Sequence, residues 1–313
     1  MKTTALVHPR RSAWRIVRRD YVLYFFLLPA VGFTFLFAYL PLFINVIAFM
    51  DYSLLKGWLG LGSPWVGFKW FQRFLTNPDF PVIAWRTITY SLVKLAFSFP
   101  APIILALLLN ELRSQAFKRT VQTISYLPFF VSWVTVSSLL YLFLSLSSTG
   151  LVNNALELLG AKRIPFMSKA RYFLPVLVVS DLWKGTGWGS IIYLAAIVSI
   201  EQQLYEAARI DGAGRWKQMR YITLPGIMPA TVILLILTAG GIFNANFDQM
   251  FTLQNDVIRA DTHVINTYSY YIGIESRKFS LGTAINLFQG VINFILVWTT
   301  NYLSKRIRGT GLF

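Results

Sequence analysis

Long, almost uncharged apolar runs alternate with short basic segments along the chain, at about Tyr21–Met50, Val82–Asn110, Thr120–Leu146, Arg171–Ile200, Gly226–Phe247 and Leu281–Leu303. Each reaches the roughly 20 residues that an α-helix needs to cross a bilayer core. The pattern predicts an all-α integral membrane protein of about six transmembrane helices. Pro100 and Pro102 should bend the second run. A Gly-, Pro- and Trp-rich loop (51–81) and a segment with a small helix near Val152–Leu159 should lie outside. The first run is much longer than a signal-peptide core and has no small-residue cleavage site, so it reads as a retained span.

Positive charge orients these spans. With both termini inside, the inner segments carry Lys2, Arg10, Arg11, Arg15, Arg18 and Arg19, then Arg113, Lys118 and Arg119, then Arg209, Arg215, Lys217 and Arg220, then Lys305, Arg306 and Arg308. That is more than half of the 29 Lys and Arg, and the bias favours a cytoplasmic face for them. The expected organisation is a cytoplasmic basic N-terminus (1–20), a transmembrane domain (21–303) containing a loop at 201–225, and a cytoplasmic C-terminus (304–313).

Composition agrees: 55% of residues are hydrophobic and 13% charged, with a mean hydropathy of +0.54. The net charge of +16 does not indicate nucleic acid, because the basic residues punctuate apolar spans instead of forming one patch. There are no cysteines and two histidines, His8 and His263, which excludes thiolate metal sites, disulfides and Cys–His catalysis. Both histidines are expected at the surface. Gly185-Thr-Gly-Trp-Gly189 lacks the Gly-Lys-Ser/Thr of a phosphate loop and lies inside an apolar run; Gly185 and Gly189 have the spacing of close helix packing.

Between the fourth and fifth runs lies Glu206-Ala-Ala-Arg-Ile-Asp-Gly-Ala-Gly-Arg-Trp-Lys-Gln-Met-Arg-Tyr-Ile-Thr-Leu-Pro225. Leu204, Ala207, Ala208 and Asp211 recur at helical spacing, Gly212 and Gly214 interrupt the helix, and a second short helix is expected to end at Pro225. The paired alanines let a partner approach the backbone closely, while Glu206, Arg209 and Asp211 supply orienting charge. An amphipathic helix resting on lipid headgroups is the plainer alternative.

Glu206-Ala-Ala-x-x-Asp-Gly-Ala213 followed by Ile222-x-Leu224-Pro225 resembles the EAA coupling loop of permease subunits of binding-protein-dependent ABC importers. Residues from about Tyr126–Trp133 to Lys305, and most closely Trp183–Tyr193, resemble the oligosaccharide and polysaccharide branch, which includes the maltose-importer type. Met219 departs from an aromatic residue common in relatives of the loop. The resemblance implies a type I ABC importer permease in a bacterial inner membrane, working with a second permease, two ATP-binding subunits and an external solute-binding protein. ATP and Mg would then be bound by the partner ATPase chains, this chain carrying no cofactor. The implied coupling residues are Glu206, Ala207, Ala208, Asp211, Gly212, Ala213, Leu224 and Pro225.

Polar groups inside the spans are candidates for the substrate pathway. Lys184, next to Trp183, falls near the middle of the fourth run, where a charge costs roughly 2.5–3.5 kcal/mol to insert. It should either face a cavity or pair with Asp181 three residues earlier. Lys94 raises the same question and could contact another subunit. Asn286, Gln289 and Asn293 form an amide stripe on the sixth span, suited to sugar hydroxyls, and Asn244, Asn246, Asp248 and Gln249 extend it. Interhelical hydrogen bonding is the competing role. An oligosaccharide, acidic (uronate) if the lysines line the path, is the expected cargo. An ion-coupled secondary transporter of a polar solute is the alternative; an integral-membrane enzyme would need a reactive cluster that the sequence does not show.

Overall fold

The computed structural model describes residues 20–56, 60, 62–241, 243 and 246–308. The basic N-terminal residues through Arg19, with His8, the tail after Arg308, and Asn244 lie outside that set. The chain divides into two compact units, residues 1–67 and 68–313.

In the first unit, α1 (Tyr21–Phe49) is 29 residues long, and its opening 14 residues bury no side chain. A helix apolar all round is built for lipid or for burial in a partner. It passes through a π turn at Phe35–Tyr39, where Leu40 N–H donates to the Phe35 carbonyl, directly before Pro41. Beyond it, Met50 and Trp65 form an antiparallel bridge, and the Phe49 and Trp65 rings stack at 5.6 Å.

The second unit contains α2 (Lys69–Leu75), α3 (Phe80–Glu111), α4 (Gln115–Tyr126), α5 (Trp133–Phe143), α6 (Leu151–Leu158), α7 (Phe173–Val198), α8 (Gln202–Ile210), α9 (Arg215–Gly226), α10 (Met228–Gly240), α11 (Phe247–Leu253), α12 (Arg259–Thr262), α13 (Ile265–Tyr270) and α14 (Phe279–Arg308). Among the described residues α1, α3 and α14 are long and apolar enough to cross a membrane, and α4 with α5 and α9 with α10 bring the number to five if each bent pair is one span. α7 has 26 residues, about 39 Å of helix, but Asp181, Lys184 and a glycine-rich middle keep it out of that set.

Three expectations are corrected here. The third run is not one straight span: Ser132 accepts from Thr135 N–H to start α5, and α5 leaves the α4 segment at 99°. The fifth run ends early, α10 stopping at Gly240 and α11 opening on Asn246, which has φ +50°. Pro225 does not end its helix. A π turn at Met219–Thr223 lets Leu224 donate to the Met219 carbonyl, and the helix runs through Pro225 to Gly226 before bending 54° into α10. A proline ring collides with the carbonyl four residues back and offers no N–H. In both Leu40-Pro41 and Leu224-Pro225, the π turn widens the helix directly ahead of that collision.

The packing is organised by α7. Toward its start, Phe173, Val176 and Leu177 pack with Met250, Leu253 and Val264. Toward its end, Tyr193, Leu194 and Ile197 pack with Ala106, Leu109 and Ile227. Between them a Cβ on Gly187 would strike the Ser125 backbone carbonyl, and one on Gly189 would meet Pro102 at 2.9 Å, whereas Gly185 has open space. The close approach therefore uses Gly187 and Gly189, not the Gly185–Gly189 pair.

Candidate functional site

The segment after α7 forms a hinge-like pair of short helices. α8 ends in a Schellman closure: Gly212 has φ +75°, its N–H donates to the Arg209 carbonyl at 3.1 Å, and Ala213 N–H donates to the Ala208 carbonyl at 2.8 Å. Glycine reaches this left-handed conformation without the Cβ penalty. Gln218 Nε2 then donates to the Ala213 carbonyl at 2.7 Å, and Tyr205 shares a 2.9 Å hydroxyl bond with the buried Thr223. Arg215 pairs with Glu111 at 3.6 Å at the end of α3. α8 buries none of its residues. Among the described residues Glu206, Arg209 and Asp211 make no ion pair within the chain, and Leu204, Ile210 and Trp216 are exposed. Leu224 and Pro225 lie one short turn away, at the entry to α10.

A second feature is a cleft of about 680 Å³ beside α14. Asn286, Gln289 and Asn293 share its wall with Asn266, Ser269 and Thr283, and Phe247, Tyr270 and Phe279 supply aromatic surface. The amide spacing on α14 brings the three stripe residues to one place, as helical geometry requires. Gln289 also donates from Nε2 to the Phe243 carbonyl at 2.6 Å. Trp183, Lys184, Asn246 and Asp248 are not among the residues lining this cleft. The sequence reading missed Thr283, three residues before Asn286 on α14 itself, and Phe247, Asn266, Ser269 and Tyr270 on α11 and α13, because a period read along one helix does not bring in partners from others.

The lysines take different roles from one another. Lys184 does not pair with Asp181. Its Nζ donates to the Phe129 carbonyl at 2.6 Å and the Val131 carbonyl at 2.5 Å, with Pro128 at 3.4 Å, and lies 5.4 Å and 5.5 Å from the Phe129 and Trp133 ring centres. These carbonyls belong to the break between α4 and α5, where helix ends leave acceptors unfilled. Asp181 instead pairs with Lys94 at 3.2 Å and accepts from Ser98 Oγ at 2.6 Å. Lys94 is buried and donates to Gln249 Oε1 at 2.5 Å, while Gln249 Nε2 donates to the Leu177 carbonyl at 2.8 Å and to Ser180 Oγ at 2.9 Å. Lys94 thus has its partners within this chain.

His263 is not at the surface. It is 9% exposed, between the Tyr268 and Tyr271 rings, with Nδ1 3.3 Å from Thr267 Oγ1. Burial, reinforced by the nearby Arg259 and Arg86 guanidinium groups, lowers its pKa to about 4. It borders a pocket of about 580 Å³ with the Arg86–Asp261 pair. No group of three or more His, Cys, Asp or Glu that could hold a metal occurs among the described residues.

The chain is similar over almost its whole length to known proteins. It is 41% identical over 297 residues to Protein LplB of Bacillus subtilis (95% of this chain, 92% of the relative). It is 40% identical over 304 residues to the polygalacturonan/rhamnogalacturonan transport system permease protein YteP of the same organism (97% and 94%). The fold matches a chain of a bacterial alginate ABC transporter, crystallised with an alginate pentasaccharide-bound periplasmic protein, with TM-score 0.88 and 37% identity over 96% of this chain and 100% of that one. Residues 98–309 match the family described as binding-protein-dependent transport system inner membrane component. The chain belongs to that family: it is a membrane-embedded permease subunit of an ABC importer, and ATP hydrolysis is the work of a separate subunit.

Proposed function

We propose that this permease serves the uptake of acidic, uronate-containing oligosaccharides, and that the cleft beside α14 is its part of the sugar path. The cleft's lining carries the reading: amides and hydroxyls from Asn266, Ser269, Thr283, Asn286, Gln289 and Asn293 offer both donors and acceptors, beside the faces of Phe247 and Tyr270. Such a mixture suits sugars, which present hydroxyl edges and apolar ring faces. The acidic class is supported by relatives named for polygalacturonan/rhamnogalacturonan and for alginate. Both lysines of the spans are engaged elsewhere, so amide N–H groups are the donors offered to a carboxylate here.

In this reading six spans are present, α4 with α5 forming the third and α7 the fourth, with both termini and the 201–225 loop cytoplasmic. α8 docks on an ATP-binding subunit through Glu206, Ala207, Ala208 and Asp211, and Gly212 and Ala213 hold its end. Closure of two ATP-binding subunits tilts α7 and the helices after Leu224-Pro225, and a second permease and an external solute-binding protein complete the assembly. The test is ATP hydrolysis by the assembled importer in lipid vesicles with its binding protein. Oligogalacturonate is expected to stimulate hydrolysis and malto-oligosaccharide is not. Equal stimulation by both overturns the acidic class, and no response to any sugar overturns the cargo.

A further inference from the structure

Lys94, Asp181 and Gln249 form a closed polar node that joins three elements inside the helical bundle. Lys94 lies 14 residues beyond the start of α3, about 21 Å along it and near its middle. At that depth a buried ion pair confers little stability over well-packed apolar side chains, because desolvation offsets the attraction. Its value must be sought in what it orients.

The orientation is fully specified at Gln249, which is wholly buried. Its Oε1 accepts from the Lys94 ammonium, and its Nε2 uses both hydrogens, one toward the Leu177 carbonyl and one toward Ser180 Oγ. Turning the amide over would set an NH₂ against an ammonium and an oxygen against a carbonyl, so only one rotamer satisfies the three partners. Asp181 fixes the other side of Lys94, and Ser98 fixes Asp181. Gln249 is the third residue of α11, a seven-residue helix that follows the interruption after α10. The far end of α11 is fastened separately, by Ser137 on Thr252 at 2.7 Å and by Tyr141 on the Leu253 carbonyl at 2.9 Å. The near end carries Phe247, one wall of the cleft, whose ring stacks with Phe251 and packs on Tyr270.

We propose that Lys94 and Gln249 are positioning residues that pin the near end of α11 to α3 and α7, and so set the wall that Phe247 presents to the cleft. Because α7 runs from this node to Val198, four residues before the start of α8, the same contact ties that wall to the helix leading into the cytoplasmic loop. The importance of that wall for transport rests on the cleft being the sugar path; the contact itself does not.

The chain's lack of cysteine gives a direct test. Single cysteines at Phe247→Cys and, separately, Asn286→Cys on α14 are introduced into the assembled importer in vesicles, and labelling by a membrane-impermeant maleimide is timed. Gln249→Leu leaves the Lys94–Asp181 pair intact. The double variant Lys94→Met with Asp181→Leu removes both charges together, avoiding a stranded one. Each background is expected to change labelling at 247 about fivefold or more, as a shift of order 1 kcal/mol in wall position would, with labelling at 286 held within about twofold. Unchanged labelling at 247 overturns the proposal. Equal changes at both positions overturn it as well, since the node would then support the bundle generally. Neither result depends on which sugar is carried.

Discussion

Replacing Lys184 by Met removes the ammonium from the break between α4 and α5 while keeping a side chain of similar length. Two short bonds are lost, to the Phe129 and Val131 carbonyls, each charge-assisted and worth about 1.5–3 kcal/mol net when well formed. Two terms reduce the loss. The group is partly open to solvent, so water can refill some acceptors, and the variant no longer carries an ionised group into a span, a gain of roughly 2.5–3.5 kcal/mol on insertion scales. We expect a net destabilisation of about 1–2 kcal/mol, which for a unit of this size lowers the melting midpoint by about 2–8 °C. Intrinsic fluorescence of the purified complex reads this directly, tryptophan being plentiful near the break (Trp133, Trp183, Trp188). Uptake of oligogalacturonate should fall only as far as the amount of folded complex falls, because the lysine holds backbone and not cargo. An unchanged midpoint with loss of oligogalacturonate uptake per folded complex would refute the clamp and return Lys184 to the pathway.

Three further expectations follow from the same geometry. Gly187→Val should block assembly of α7 against α4, since any Cβ there meets the Ser125 carbonyl, whereas Gly185→Ala, facing open space, should leave yield and melting unchanged. Gly212→Ala should weaken the end of α8 by about 1–2 kcal/mol, the cost of placing a Cβ at positive φ, and so lower recovery of the ATP-binding subunits on purification through this chain; undiminished recovery removes the Schellman closure from the docking argument. For His263, the folded pKa of about 4 lies below an unfolded value near 6.5. Its contribution is therefore complete above pH 6.5 and is lost as pH falls toward 4, amounting to about 2.5 kcal/mol by pH 4.5. His263→Gln should flatten the melting profile between pH 7 and 4.5, and an equally steep profile in the variant would show that other groups carry the acid sensitivity.

How much was legible depended on whether a feature is local. Membrane class came from uninterrupted apolar runs. The Asn286, Gln289 and Asn293 stripe needed only helical periodicity, and Gly212 announced a helix end. The partners of Lys94 and Lys184 were not legible, because sequence spacing puts Asp181 three residues before Lys184 on the same helix, while α3 brings Lys94 to Asp181 from across the bundle. The prolines misled for a related reason. Pro225 is a reliable stop only in an α-helix, and the π turn before it changes which carbonyl the ring faces.

The partners that the two lysines take bear on mechanism. Had Lys184 neutralised Asp181, both charges would have belonged to α7 alone and tied it to nothing. Instead Asp181 reaches α3 through Lys94, and Lys184 reaches the α4–α5 break through its carbonyls. A rigid helix carrying two polar attachments to different neighbours cannot tilt without disturbing both. Gly187 and Gly189, between Lys184 and the end of α7, place it in backbone-close contact with Ser125 and Pro102, where sliding has little clearance. Motion delivered at α8 should therefore move α7 with α3 and the α4 end as one block, and the 54° bend after Gly226 falls outside it. That bend opens α10, whose Gly240 packs against Val297 of α14, so the cleft should open by displacement of α10 and α14 against the block. Spin labels on α3 and α7 should hold their separation through an ATP cycle while labels on α7 and α14 do not; a changing α3–α7 distance would refute the block.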